Sequence, residues 1–141
     1  MQTSARNQFP GEVTEVKHGA VNDEVTLRTQ DGLEIVAIIT HSSATTLGLA
    51  AGKKAFALVK ASSVIVMVDV AKNQVSARNC IAGAVSGVTQ GAVNSEVTIS
   101  AGGVQIAAIV TNESVDRLGL ASGKAATAIF KASSVIVAVD Q

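Results

Sequence analysis

The chain carries one sequence twice. Residues Ser4 to Asp69 return as Ser76 to Asp140, with more than half of the aligned positions identical. A duplication this close means that both copies fold as the same unit, and that any site built by one is expected in the other. The repeat spacing is about 72 residues up to Thr98 and about 71 from Gly103 onward, so one residue is lost around Gln30-Asp31-Gly32. Loops absorb such changes, which places a turn there. A unit of roughly 60 to 70 residues buries only about 60% of the surface its unfolded chain exposes, leaving thin stability. Two copies packed side by side, or several chains together, would relieve that. The expected domains are residues 1–70 and 71–141.

Within the first copy, Phe9 to Lys17 alternates loosely and stops at His18-Gly19, a strand and a turn. Val21 to Thr29 alternates strictly, with Val25 and Leu27 set against Glu24, Thr26 and Arg28, and Asp31-Gly32 supplies a hairpin signal. Leu33 to Thr40 is nearly all apolar and is expected to be a strand buried on both faces. The period then changes: Ser42 to Leu47 opens with capping residues and closes at Gly48, a short helix. Ala55 to Lys60 and Val64 to Val68 follow as strands around the tight Ala61-Ser62-Ser63 corner, and Val70 to Val75 is too short for a free linker. The fold class is therefore all-β with one short helix per repeat, as two tandem, five-stranded OB-fold-like Greek-key barrels.

Composition fits that class. Hydrophobic residues make up 48% of the chain but aromatic ones only 2%, so the core must be Val, Ile, Leu and Ala, which suits strands. Basic and acidic residues number 11 each, and this balance offers no broad field to draw nucleic acid or an anionic membrane. The single cysteine, Cys80, excludes an intrachain disulfide and a cysteine-based metal site; it is expected to be a small buried filler. The first residues lack an apolar leader and no apolar run approaches the roughly 18 residues that span a bilayer, so a cytoplasmic location is expected.

The most closely retained patches are polar. Ser4-Ala5-Arg6-Asn7 returns as Ser76-Ala77-Arg78-Asn79, Gly19-Ala20-Val21-Asn22 as Gly91-Ala92-Val93-Asn94, and Lys60-Ala61-Ser62-Ser63 as Lys131-Ala132-Ser133-Ser134. Arg offers a planar fork, Lys a point charge and Ser a hydroxyl, while the backbone N–H groups of a sharp corner converge as a nest. Donors without acceptors make an anion site, and charge-assisted bonds of roughly 1.5 to 3 kcal/mol each can offset the dehydration of a dianion. Taken singly, Arg6 or Lys60 would read as a solvated surface residue, and the serines and Gly19 and Gly91 as turn formers; their joint repetition argues otherwise. His18 becomes Gln90 and His41 becomes Asn112, so both histidines read as polar loop residues.

These patches, with the Leu-Gly-Leu and Gly-Lys stretch of each copy, closely resemble the molbindins, proteins built from Mop domains, in their two-domain form. The resemblance covers essentially the whole chain. It implies OB-like domains, a homotrimer, and binding of molybdate, and of tungstate too, at subunit and domain interfaces. Carried across, it places Ser4, Arg6, Ser43, Lys60, Ala61 and Ser62 on the oxyanion in the first copy. In the second copy it places Ser76, Arg78, Ser114, Lys131, Ala132 and Ser133. A second kind of site near the threefold axis falls on His18, Gly19, Ala20, Val21 and Asn22 and on Gln90, Gly91, Ala92, Val93 and Asn94. No metal is held by direct protein ligands and no catalytic cofactor is implied. Donors alone disfavour phosphate, which keeps at least one proton near neutral pH and needs an acceptor, whereas molybdate and tungstate are fully deprotonated. Sulfate is smaller and has to be rejected by a rigid cavity through stretched bonds.

Three other classes compete. Binding of single-stranded nucleic acid to an OB-fold needs aromatic platforms and a basic groove, and here only Phe9 is placed near a barrel rim. Catalysis would need a nucleophile and base that recur in both copies, and none does, so no enzyme activity is expected. A purely structural assembly module would have no reason to keep Arg6/Arg78 and Lys60/Lys131. Without an output domain, a double oxyanion module is expected to store and buffer molybdenum rather than to regulate.

Overall fold

Alternation in the sequence becomes ladder in the structure. The computed structural model describes residues 1–140. The first copy folds as β1 (Asn7–Lys17), β2 (Asn22–Thr29), β3 (Glu34–Thr40), α1 (His41–Leu47), β4 (Lys54–Val59) and β5 (Ile65–Met67). The second repeats it as β6 (Asn79–Gln90), β7 (Asn94–Ala101), β8 (Val104–Thr111), α2 (Asn112–Leu118), β9 (Ala125–Phe130) and β10 (Ile136–Ala138). The elements match the sequence reading in order and type. No helix among the described residues is long and apolar enough to cross a membrane.

The strands form two curled five-stranded sheets, ordered β10-β4-β1-β2-β3 and β5-β9-β6-β7-β8. In the first, β10 also touches β3, and in the second β5 touches β8, so each sheet curls toward closure as an OB-like barrel. One strand in each sheet comes from the other copy. Ile136, Val137 and Ala138 pair antiparallel with Leu58, Ala57 and Phe56, and Ile65, Val66 and Met67 with Ile129, Ala128 and Thr127. The compact units therefore comprise Met1–Val59 with the chain from Lys131 onward, and Lys60–Phe130. They differ from the repeat boundaries 1–70 and 71–141 by this exchange.

Each core is mainly aliphatic, with one phenylalanine, Phe9 or Phe130. In the first unit Val13, Val25, Leu27, Ile35, Ala37, Ala57 and Val59 are buried, and in the second Val85, Val97, Ile99, Ile106, Ala108, Ile129 and Phe130. A bulge falls between Val13 and Glu15 and again between Val85 and Gly87. The extra residue is Thr14 or Ser86, whose hydroxyl donates to the carbonyl of Thr26 or Thr98 at 3.3 Å, satisfying the group the bulge would strand. Both helices start on a threonine cap, Thr40 or Thr111, which accepts from the N–H of Ser43 or Ser114. Both end on a glycine in the left-handed region, Gly48 or Gly119.

Two expectations are corrected. Strand β3 is covered on one face only: Ile35 and Ala37 are buried, but Ile38 is exposed and Val36 and Ile39 half-buried. Its unbroken apolar run reflects what its outer face presents, not what the sheet covers. Cys80 is half-buried rather than a core filler.

Candidate functional site

The Lys-Ala-Ser-Ser corners fold as single 3₁₀ turns, Ala61–Ser63 and Ala132–Ser134. The buried methyls of Ala61 and Ala132 anchor them, while Lys60, Ser62, Lys131 and Ser133 are exposed. Within each turn the N–H of the third residue reaches back to the lysine carbonyl at 2.9 Å, and the next N–H to the alanine carbonyl at 3.3 Å. The N–H groups of Ala61 and Ser62, and of Ala132 and Ser133, precede those bonds in the turn. Local bonding thus presents a lysine, a hydroxyl and two amides at one corner.

The Ser-Ala-Arg-Asn segments lead into the first strand of each copy. Ser4, Arg6, Ser76 and Arg78 are exposed, whereas the next residues, Asn7 and Asn79, are buried to within 2% exposure. Asn7 lies opposite Val59 and Asn79 opposite Phe130. The residue after Arg6 is therefore in register with the residue before Lys60, and the residue after Arg78 with the one before Lys131. The two buried asparagines were not singled out from sequence, although their repetition beside Arg was the available signal.

Ser43 and Ser114 sit in the first turn of their helices. Each hydroxyl oxygen accepts from the cap threonine, at 2.7 Å for Thr40 and 2.9 Å for Thr111, which leaves its own O–H to donate. The strand exchange changes their company. The Ala132–Ser134 turn packs on β3, which leads to Ser43, and the Ala61–Ser63 turn packs on β8, which leads to Ser114. Each serine thus shares its compact unit with the corner of the other copy, not with its own.

The candidate threefold segments are tight turns between the first and second strands of each copy. A Cβ on Gly19 would lie 2.3 Å from the Asn22 carbonyl oxygen, and one on Gly91 2.6 Å from that of Asn94, so glycine is required at both for close backbone approach. Val21 and Val93 are fully presented at 74% and 70% exposure. Their carbonyls accept from the N–H of His41 and Asn112 at 2.9 Å, tying each turn to the start of its helix.

One residue further on, the two copies part. Asp23 has a fully buried side chain, and both histidines of the chain turn their Nδ1 atoms to it: His18 at 2.8 Å from Oδ2, and His41 at 3.0 Å from both oxygens. The Gly19 N–H adds a bond at 3.2 Å. The imidazoles meet edge to face, with centroids 5.3 Å apart. Burial alone would raise the Asp23 carboxyl, but the bonds from His18, His41 and Gly19 and the charge of His41 outweigh it and hold the group below its ordinary value. In the second copy Ser95 donates to Asn112 Oδ1 at 2.6 Å, and Asn112 Nδ2 to the Gly91 carbonyl at 3.0 Å. Reading the histidines as separate loop residues missed this cluster, because its members do not recur and His41 reaches Asp23 from 18 residues along the chain.

A shallow groove lined by Pro10, Glu12, Arg28 and Lys54, among others, holds none of these residues. Phe9 and Phe130 are buried in the core and Phe56 is half-buried, so the expectation of Phe9 at a barrel rim does not hold.

With this geometry in hand, the family model described as the TOBE domain matches residues 3–66 and again 75–137. The chain belongs to the TOBE domain family. The tandem TOBE chain is 45% identical, over its full length, to the molybdenum transport protein ModE of Herbaspirillum seropedicae, covering 53% of that protein. It is 46% identical over 99% of its length to the molybdenum-pterin-binding protein MopA of Rhodobacter capsulatus, again covering 53%. The chain thus spans about half the length of the curated relatives it matches. Among solved structures it resembles the cytoplasmic molybdate-binding protein ModG, determined with molybdate bound, with a TM-score of 0.95 and 46% identity, covering 99% of this chain and 100% of ModG.

Proposed function

We propose that the tandem TOBE chain binds molybdate, and tungstate with it, for intracellular storage and buffering of molybdenum in the cytoplasm, and that it is a binding protein rather than an enzyme. The observation that carries this is the similarity, over 99% of this chain and 100% of the other, to a relative solved with molybdate bound. The duplicated donors support it. Ser4, Arg6, Ser43, Lys60, Ala61 and Ser62, with Ser76, Arg78, Ser114, Lys131, Ala132 and Ser133, supply fork, point charge, hydroxyl and amide donors and no acceptor carboxylate. The segments His18–Asn22 and Gln90–Asn94 are assigned to a second kind of site. The assembly is a homotrimer; the exposed aliphatic residues Ile65 and Ile136, like Val21 and Val93, are retained in both copies, as an interface would require.

Calorimetric titration tests this. Molybdate and tungstate bind, sulfate binds much more weakly and phosphate negligibly near neutral pH; equal affinity for phosphate would refute a donor-only site. A second reading is favoured by relatives twice this length, one of them a DNA-binding transcriptional regulator from Escherichia coli. In that reading the tandem domains are the oxyanion-sensing half of a regulator. Nucleic-acid binding by these domains themselves is not part of either reading, since two of the three phenylalanines are core residues. A gel shift over a salt series, with and without molybdate, checks that exclusion: no retarded species is expected from these domains.

A further inference from the structure

We propose that His18, Asp23 and His41 form a divalent transition-metal site, of the zinc class, in the first repeat only. The donor atoms of the three residues lie within 4.8 Å of one another. Ligands bound at about 2.0 to 2.2 Å to a common ion sit roughly 3 to 4 Å apart, so small rotations of the imidazoles complete the set. Both rings are free to make them, at 62% and 49% side-chain exposure. The carboxylate is the fixed member: fully buried, oriented by the Gly19 N–H, and already the point on which both Nδ1 atoms converge.

Ligand chemistry selects the ion. Two imidazoles and one carboxylate suit zinc, cobalt and nickel, and are poor for magnesium or calcium, which take oxygen. Three protein ligands leave a coordination position for water or an external ligand.

Comparison of the copies argues that the cluster is more than a brace for the turn. The second repeat has the same backbone tie between turn and helix, from Asn112 N–H to Val93 O, and secures its corner with the neutral pair Ser95 and Asn112. The fold's demand for hydrogen bonds is therefore met without a carboxylate. Asp23 adds a buried negative charge that the neutral version lacks, one that a brace has no need of and that a bound cation would meet.

The test uses the full chain, untagged, chelator-stripped and in buffer free of oxyanions. Cobalt(II) titration followed by visible absorption, and zinc titration by calorimetry, are expected to give one ion per chain at low-micromolar concentration, with zinc displacing cobalt. Zinc should also shift the ring resonances of both His18 and His41. The double variant Asp23→Ser, His41→Asn adopts the second repeat's residues, and binding should weaken by roughly tenfold or more with the circular dichroism spectrum unchanged. His41→Asn alone serves if the double variant fails to fold. Absent ligand-field bands and binding heat in the parent chain, or undiminished binding in the variant, would overturn the site and leave a hydrogen-bonded brace.

Discussion

At the scale of single residues, each donor stands next to a residue that fixes it. Arg6 and Arg78 precede buried asparagines, and Lys60 and Lys131 precede buried alanines, so exposed charge is carried on anchored backbone. The ladder puts Asn7 opposite Val59 and Asn79 opposite Phe130. Arg6→Ala and Lys60→Ala should therefore remove the same subset of bound molybdate, and Arg78→Ala with Lys131→Ala the other subset, without unfolding the chain. Bound molybdenum per chain, measured for single and paired variants, checks this; the Arg6/Lys60 pair is expected to lose no more than either single change. The repeated donors could be found in the sequence because two copies act as their own comparison. The same device hid Asp23, His18 and His41, since a reading weighted toward repetition discards what one copy alone has gained.

At the scale of elements, the order of five strands and a helix was legible, because alternation, turn residues and helix caps are all local signals. Which sheet each fifth strand joins was not. Ile65-Val66 and Ile136-Val137 are the same dipeptide flanked by the same corner, and nothing in either segment distinguishes β4 from β9 as partner. The exchange can be checked by removing the chain after Phe130. That deletes β10, the partner of Phe56, Ala57 and Leu58, so hydrogen exchange should accelerate in β4 while β9, paired with β5 and β6, keeps its protection. Accelerated exchange in β9 with β4 unaffected would show that each fifth strand stays with its own copy.

For the whole molecule, the apolar surface speaks to assembly. Ile65 and Ile136 are 57% and 60% exposed, and with Val21 and Val93 they form matched pairs across the repeat; β3 adds Ile38 from its uncovered face. A formal charge of zero offers no repulsion to keep such surfaces apart. Native mass spectrometry is expected to find a trimer, and molybdate should raise its thermal midpoint in a concentration-dependent way, since a ligand bound to the assembled form stabilises it by mass action. A monomer at micromolar concentration with full molybdate stoichiometry would detach binding from assembly.

The exchanged strands also set an order of events during synthesis. A growing chain emerges from its N-terminus, and a domain ordinarily completes its fold soon after its last residue clears the ribosome. Here the first unit waits for Ile136–Ala138, the last of its five strands in the sequence, while its β4 edge stands unpaired. The second unit, by contrast, has all of its strands once Phe130 is free. Of the two units, the one whose first strands are translated first is therefore the one that closes last, and until β10 emerges it presents an open edge to the neighbouring nascent chains of a polysome.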